Sequence, residues 1–202
     1  MSKKPIIVFE GVDFSGKSTQ IKIVADFLKK KKIPFVKLRE PGGSINSEKI
    51  RKLLMNKTSK FNKKTDLLLY LASRSENIQN IIKKNNKKII LIDRFTDSTV
   101  AYQHYGMGIN LNIINIINNF VTDKIKPKLT FLSIVSKSNI KKRIKLRKNL
   151  NRYDLFNISF FLKVQKGYMK LSKNSKKHFI INSNLPIDVN KNILINKISK
   201  LL

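Results

Sequence analysis

Pro5-Ile-Ile-Val-Phe-Glu-Gly-Val-Asp-Phe-Ser-Gly-Lys-Ser-Thr19 is the stretch that decides the fold. It reads as a short buried strand, a loop bracketed by two glycines, and the first turn of a helix. Residues Gly11 to Ser18 fit the pattern G-x-x-x-x-G-K-[S/T] without a mismatch. The spacing has a physical reason. Gly11 and Gly16 allow backbone torsions closed to other residues, so successive amides curl around phosphate oxygens. Lys17 reaches the outer phosphates, Ser18 offers its hydroxyl to a magnesium ion, and the helix that starts there adds its positive end. A chance glycine turn before a basic helix is the competing explanation. The apolar run Ile6 to Phe9 ahead of the loop and the helical pattern behind it supply the context that a nucleoside triphosphate site requires. Gly11, Ser15, Gly16, Lys17, Ser18 and Thr19 are therefore assigned to the triphosphate, with Ser18 also on the metal.

Length and composition bound the rest. A chain of 202 residues suits one domain with a core of its own, 1–202. It has no cysteine, which removes disulfide frameworks and thiolate metal sites, and two histidines with no His/Asp cluster tell against a structural zinc site. The apolar run near the start is too short for a signal-peptide core, and nothing approaches the ~20 apolar residues of a bilayer span. A soluble cytoplasmic protein with no membrane partner is expected. The formal charge of +31 raises the question of nucleic acid. The lysines are scattered through nearly every segment, together with abundant Asn and Ile, a set encoded by AT-rich codons. A nucleic-acid footprint is a stripe, not a general coating. We read the charge as compositional drift and expect no nucleic-acid partner, although it still attracts anionic substrates.

Along the chain, strands alternate with helices. Gln20 to Lys32 carries Ile21, Val24, Ala25 and Leu28 on one helical face. Phe35 to Leu38 is a second strand entering Arg39-Glu-Pro-Gly-Gly43, a loop at the strand's carboxyl end, where ligands sit in open α/β sheets. Ser47 to Asn56 is helical with Ile50, Leu53 and Leu54 inward, and Thr65 to Lys84 is a longer helix with Leu67, Leu68, Leu71, Ile78 and Ile82 inward. Tyr70 and Arg74 stand four apart on one face of it; by themselves they read as a buried Tyr and a solvated Arg. Lys88 to Arg94 is the third strand and ends in Asp93-Arg94, which reads as a metal ligand beside a phosphate ligand or as a salt-bridged strand end. Ser98 to Ile109 is polar and aromatic, poor core material, and reads as binding wall. Leu129 to Val135 and Phe179 to Ile181 are the remaining strands. Residues 143–154 are basic with little apolar content and read as a solvated loop or a mobile lid. The expected fold is a doubly wound five-stranded parallel sheet flanked by helices, α/β class.

Four motifs, in order and along essentially the whole chain, resemble bacterial thymidylate kinase. They are Gly11-Val-Asp-Phe-Ser-Gly-Lys-Ser-Thr19, Arg39-Glu-Pro-Gly-Gly43, Leu69-Tyr-Leu-Ala-Ser-Arg74, and Asp93-Arg-Phe95 followed by Ser98 and Ala101-Tyr-Gln103. The resemblance implies a P-loop NTPase fold with a lid and transfer of the ATP γ-phosphoryl group to dTMP, giving dTDP for DNA precursor synthesis, with Mg2+. It further implies that Asp13 holds the 3′-hydroxyl near magnesium, that Tyr70 stacks on thymine, and that Arg74 reaches the base carbonyl. Arg51 and Arg94 would hold the acceptor phosphate, Tyr102 would crowd the 2′ position, and Ser98 and Gln103 complete the dTMP site. Asp93 joins Ser18 and Asp13 at the metal. A homodimer is implied as well.

One subtype of the family carries an arginine in the phosphate loop and another supplies it from the lid. Here the loop position holds Phe14, and Arg143, Arg147 and Arg152 follow in the lid, so the chain resembles the lid-arginine subtype, with Lys17, Arg94, Arg147 and Arg152 as catalytic cations. The chain departs from the family at Met107, Ile134 and Asn182. Two other readings remain: another nucleoside or nucleotide kinase, and a basic nucleic-acid-binding P-loop ATPase. A regulatory GTPase lacks its guanine motif, since Asn62-Lys-Lys-Thr65 has no aspartate.

Overall fold

The computed structural model describes residues 4–173 and 175–202. Five strands, β1 (Ile6–Glu10), β2 (Phe35–Arg39), β3 (Ile89–Asp93), β4 (Leu129–Ile134) and β5 (His178–Asn182), form a sheet in the order β2-β3-β1-β4-β5, parallel throughout. The central strands are apolar on both sides because both faces are covered. Ile7 and Phe9 of β1, with Ile89 and Leu91 of β3, face α1 (Lys17–Lys30) and α8 (Ile187–Ser199). Val8, Ile90 and Ile92 face the other way, onto Leu38, Ile78, Ile82 and Phe95. Within α1, Ile21, Val24, Ala25 and Leu28 are buried as their three- and four-residue spacing requires.

The register does the positioning. Phe9 pairs with Asp93, and Asp93 with Arg39, so the carboxyl ends of β1, β3 and β2 finish in one row. The phosphate loop, the Asp93-Arg94 turn and the Arg39–Gly43 loop all leave from that row. An open parallel sheet places ligands at this edge.

Helices α2 (Ile45–Met55) and α3 (Lys63–Asn77) follow β2. Both begin where a side chain caps free amides: Ser44 accepts from the Ser47 N–H, and Asn62 accepts from those of Lys64 and Thr65. The long helix expected over 65–84 is three pieces, because after Asn77 the chain passes through a π-helical turn (Ile78–Ile82) and a 3-10 turn (Lys83–Asn85). Two expected core residues point outward instead: Leu53 is 52% exposed and Leu68 57%. Neighbours on the same helices, Leu54, Leu67 and Leu71, fill the inward face.

The segment 98–109, expected as a polar wall, is helical as far as Gly106 and largely buried. After α4 (Thr96–Thr99) it forms a π-helical stretch, Val100–Gly106, in which Val100, Ala101, Tyr102 and Gln103 are all buried. Its closest helical neighbour is α7 (Ile158–Lys173), where Gly167 lets the Tyr105 ring approach: a Cβ there would stand 2.5 Å from the ring. Helices α5 (Leu111–Val121) and α6 (Lys137–Lys145) complete the order. No helix among the described residues is long and apolar enough to cross a membrane.

Candidate active site

Residues at the carboxyl edge of the sheet line a cavity of about 540 Å³. The phosphate loop forms its floor. Gly11 and Gly16 adopt φ of 139° and 89°, which confirms why glycine stands at both positions. At Gly11 a side chain would also collide with the Ser133 carbonyl, 2.5 Å from the Cβ position. Lys17 is buried and donates to the carbonyls of Gly11 (3.0 Å) and Val12 (2.8 Å), which fold its ammonium back over the loop. Burial first, and the Arg94 charge second, push its pKa down to about 8. Gly16, Lys17, Ser18 and Thr19 line the cavity, whereas Ser15 is fully buried beneath it with a hydroxyl that has no partner among the described residues.

Arg94 organises the centre. It occupies the left-handed region (φ 68°), a conformation that aims its side chain back across the loop. Its Nη1 donates to the Gly11 carbonyl (3.0 Å), Ser98 Oγ (3.3 Å) and Tyr168 Oη (3.2 Å), and its Nη2 to Asp13 Oδ1 (2.6 Å) and Tyr102 Oη (3.3 Å). Tyr102 in turn donates to Asp13 Oδ2 at 2.7 Å. Burial opposes the Asp13 charge, but Arg94, Lys17 and the Tyr102 hydroxyl outweigh it and hold the carboxyl at about 2. Both Asp13 oxygens are therefore engaged by protein donors. This tells against Asp13 as a direct metal ligand and fits a role in setting Arg94.

Asp93 differs. It lines the cavity with an Oδ1 that is buried and has no partner among the described residues, next to the loop that carries Ser18. Among the described residues no three acidic, His or Cys side chains converge as a metal cage. One free carboxylate oxygen and a serine hydroxyl suit a magnesium ion that takes its remaining ligands from phosphates and water. The donor set fits that ion.

The wall across from the loop comes from the β2 edge and α3. Arg51 donates to the Pro41 carbonyl (2.6 Å), and its pKa is lowered by burial and then by the like charge of Arg39. Two neighbouring cations facing a cavity make an anion site. Tyr70 lines the same wall with its ring edge-on to Tyr153, centroids 5.7 Å apart. Gln103 and Ser98 also reach the cavity; the Ser98 hydroxyl is tied to Glu10 and Tyr168.

Arg74 is neither solvated nor free. It is 1% exposed and donates to Glu40 Oε2 (2.7 Å), Thr99 Oγ1 (2.8 Å), Asn118 Oδ1 (2.6 Å) and the Phe95 carbonyl (2.9 Å). It borders the cavity, with one Nη2 hydrogen beyond these four bonds, while tying the loop after β2 to the start of α4 and to the helix Leu111–Val121.

The segment 143–154 is ordered over the cavity and its three arginines part company. Arg143 spans the end beside the phosphate loop, donating to the carbonyls of Phe14 (2.8 Å) and Ser183 (2.7 Å). Arg147 lines the cavity above Phe14 and pairs with Asp154 at 2.9 Å. Arg152, expected beside them, turns away: it pairs with Asp66 in the first turn of α3, with Tyr153 and Phe61 against its plane, and does not line the cavity. The cause is the 3-10 turn Arg152–Leu155, opened by a reciprocal capping box between Asn151 and Asp154, which rotates consecutive side chains apart.

Sequence reading missed Glu10, which accepts from the amides of Phe95 (2.7 Å) and Ser98 (3.2 Å) and so ties the Asp93-Arg94 turn to β1. It also missed the wall formed by Ser183, Leu185, Ile187 and Asn190 around the start of α8. The turn at Pro186, after the last strand, was the available signal.

The sequence profile of the family described as Thymidylate kinase matches residues 9–193. The thymidylate kinase of Thermosipho africanus is 40% identical over 184 residues, covering 90% of this chain and 91% of that protein. That of Sulfurihydrogenibium sp. is 40% identical over 178 residues, covering 87% and 86%. A crystal structure of thymidylate kinase from Ehrlichia chaffeensis superposes with a TM-score of 0.78 at 31% identity, covering 98% of this chain and 99% of that one. With the phosphate loop, the Asp93-Arg94 turn and the arginine-bearing segment converging on one cavity, the chain belongs to the thymidylate kinase family.

Proposed function

We propose that this chain transfers the γ-phosphoryl group of ATP to the phosphate of dTMP with Mg2+, releasing ADP and dTDP for DNA precursor synthesis in the cytoplasm. The observation that carries this reading is the single cavity with two ends: the phosphate loop and Arg143 at one, Arg51, Tyr70 and Tyr102 at the other. A phosphate oxygen of the acceptor attacks the γ-phosphorus as the bond to the β–γ bridging oxygen breaks. The acceptor oxygen is already ionised, so no general base is required, and catalysis is positioning and charge neutralisation.

Lys17 and the loop amides hold the donor phosphates. Arg51 and Arg94 hold the acceptor phosphate in line, and Asp13 and Tyr102 fix Arg94 while bounding the sugar. Tyr70 supplies the face for the base, and Arg74 sets the loops around it and offers its remaining N–H. Arg147 closes from segment 143–154, which acts as the lid of a single domain. Ser18 and Asp93 would hold magnesium, which neutralises charge on the β- and γ-phosphates when bound. Arg152 acts on the lid, not on phosphate.

We also assign the exposed apolar face of α5, with Ile113, Ile116 and Phe120 at 51%, 68% and 80% exposure, to a homodimer contact. Large apolar side chains repeated on one helix face mark an interface.

A coupled ADP-release assay on dTMP, dUMP, thymidine, CMP and AMP tests the reaction. Fastest turnover on dTMP, lost by orders of magnitude in a folded Lys17→Ala variant, is expected. Preference for another acceptor, or Lys17→Ala turning over normally, sinks the reading.

A further inference from the structure

Phe14 lies in the phosphate loop at φ 66°, in the left-handed region. A residue with a side chain is strained there, and glycine is not. A large aromatic residue held in that conformation calls for a use of its ring. The ring lines the cavity, where polar phosphates are expected. From below, it stands edge-on against the buried Phe161 of α7, with centroids 6.0 Å apart and planes at 87°. From above, the Arg147 guanidinium carbon lies 5.5 Å from its centroid. The loop backbone is also fixed, since Arg143 donates to the Phe14 carbonyl at 2.8 Å.

Arg147 itself has few restraints. Its side chain is 42% exposed, its Nη1 pairs with Asp154, and its Nε donates to the Asn149 carbonyl at 3.2 Å; both partners belong to its own segment. The Phe14 ring is the contact that refers this cation to the phosphate loop. A guanidinium lying over an aromatic face keeps its edge N–H groups free for phosphate oxygens.

We propose that Phe14 is a positioning residue: its ring is the platform that sets the Arg147 guanidinium over the donor phosphates. The inference rests on the kinase reading for its consequence in turnover, but the contact can be tested without it. The chain has no tryptophan, so Phe14→Trp carries a single reporter. Without substrates, removing the cation by Arg147→Ala should shift the emission of Trp at this position and raise its quenching by acrylamide. Unchanged emission and quenching would overturn the platform whatever reaction the enzyme catalyses.

In kinetics, Phe14→Leu and Phe14→Gly should lower kcat about two- to fivefold, the range for an exposed cation–aromatic contact, with the KM of ATP and dTMP within about twofold. Phe14→Trp should restore turnover. In the Arg147→Ala background the Phe14→Leu effect should disappear. A loss that persists there, or equal turnover in the leucine and tryptophan variants, would show that the ring only packs.

Discussion

The two carboxylate oxygens of Asp66 are divided between two neighbours on segment 143–154: Oδ1 accepts from Arg152 Nη2, and Oδ2 accepts from the Tyr153 hydroxyl at 3.0 Å. The pairing joins the end of the lid to the first turn of α3, and Tyr153 then meets Tyr70, proposed here as the face for the base. On the proposed roles, lid seating and acceptor recognition share one wall.

Removing Asp66 leaves Arg152 and Tyr153 without their acceptor in a largely buried setting, at a cost of about 1–3 kcal/mol. Asp66→Ala and Arg152→Ala should both speed proteolytic nicking within 143–154 and lower turnover. Arg147→Ala should behave differently: unaltered nicking, with kcat reduced about 10²–10³-fold, the loss typical of one transition-state donor. Limited proteolysis beside steady-state kinetics separates the two. Wild-type turnover in Arg147→Ala would return the donor-side cation to Arg143.

Arg74 and Glu40 form a buried pair with side chains 1% and 3% exposed. Burial raises the Glu40 pKa, and the Arg74 charge beside it opposes that rise. Arg74→Ala strands the carboxylate and should destabilise the fold by about 3–5 kcal/mol in urea unfolding. If instead this variant unfolds at the wild-type urea concentration and only its KM for dTMP rises, the residue serves the substrate and not the loops.

Glu10 gives the molecule a pH dependence. Its carboxyl is raised to about 7, by burial and then by the nearby Asp97 charge. The folded chain therefore keeps a proton that the unfolded chain releases near 4.5. For an acid raised on folding, the stabilising contribution is complete below 4.5 and is lost as pH rises through about 7. Glu10→Gln retains the acceptor for the Phe95 and Ser98 amides, and its amide can donate to the Ser98 and Tyr168 hydroxyls. Wild type should lose stability relative to this variant between pH 5 and pH 8, read as urea midpoints in ~1 unit steps. Parallel curves would remove Glu10 as the source.

The exposed face of α5 predicts an assembly. Ile116→Glu places a charge in the middle of it and should convert a dimer into a monomer in light scattering, with little change in helix content. A wild-type chain that is monomeric at tens of micromolar contradicts the assignment.

Much of this protein is legible in its sequence. The phosphate loop needs glycine where φ is positive, and Gly11 and Gly16 stand there. Ile89 to Ile92 is apolar on both faces because helices cover both, and Asp93-Arg94 closes that strand at the edge where ligands bind. These features are local: a torsion, a period and a strand end are properties of neighbouring residues. The α-helical extent after Asn77, the outward turn of Leu53 and Leu68, and the burial of Tyr102 and Gln103 are not local, since each depends on which element packs alongside.

The arginines show the division most clearly. Arg147 and Arg152 are five positions apart in one basic run and carry the same side chain, yet one faces the cavity and the other a carboxylate 86 positions away. Asp13, Arg94 and Tyr102 are likewise joined across 81 and 89 positions of chain. A buried charge settles where its hydrogen-bonding partners are, and folding chooses those partners from distant segments. Sequence determined which cations this protein has and which loop carries the phosphate-binding pattern; tertiary structure decided which cation faces the cavity beside that loop.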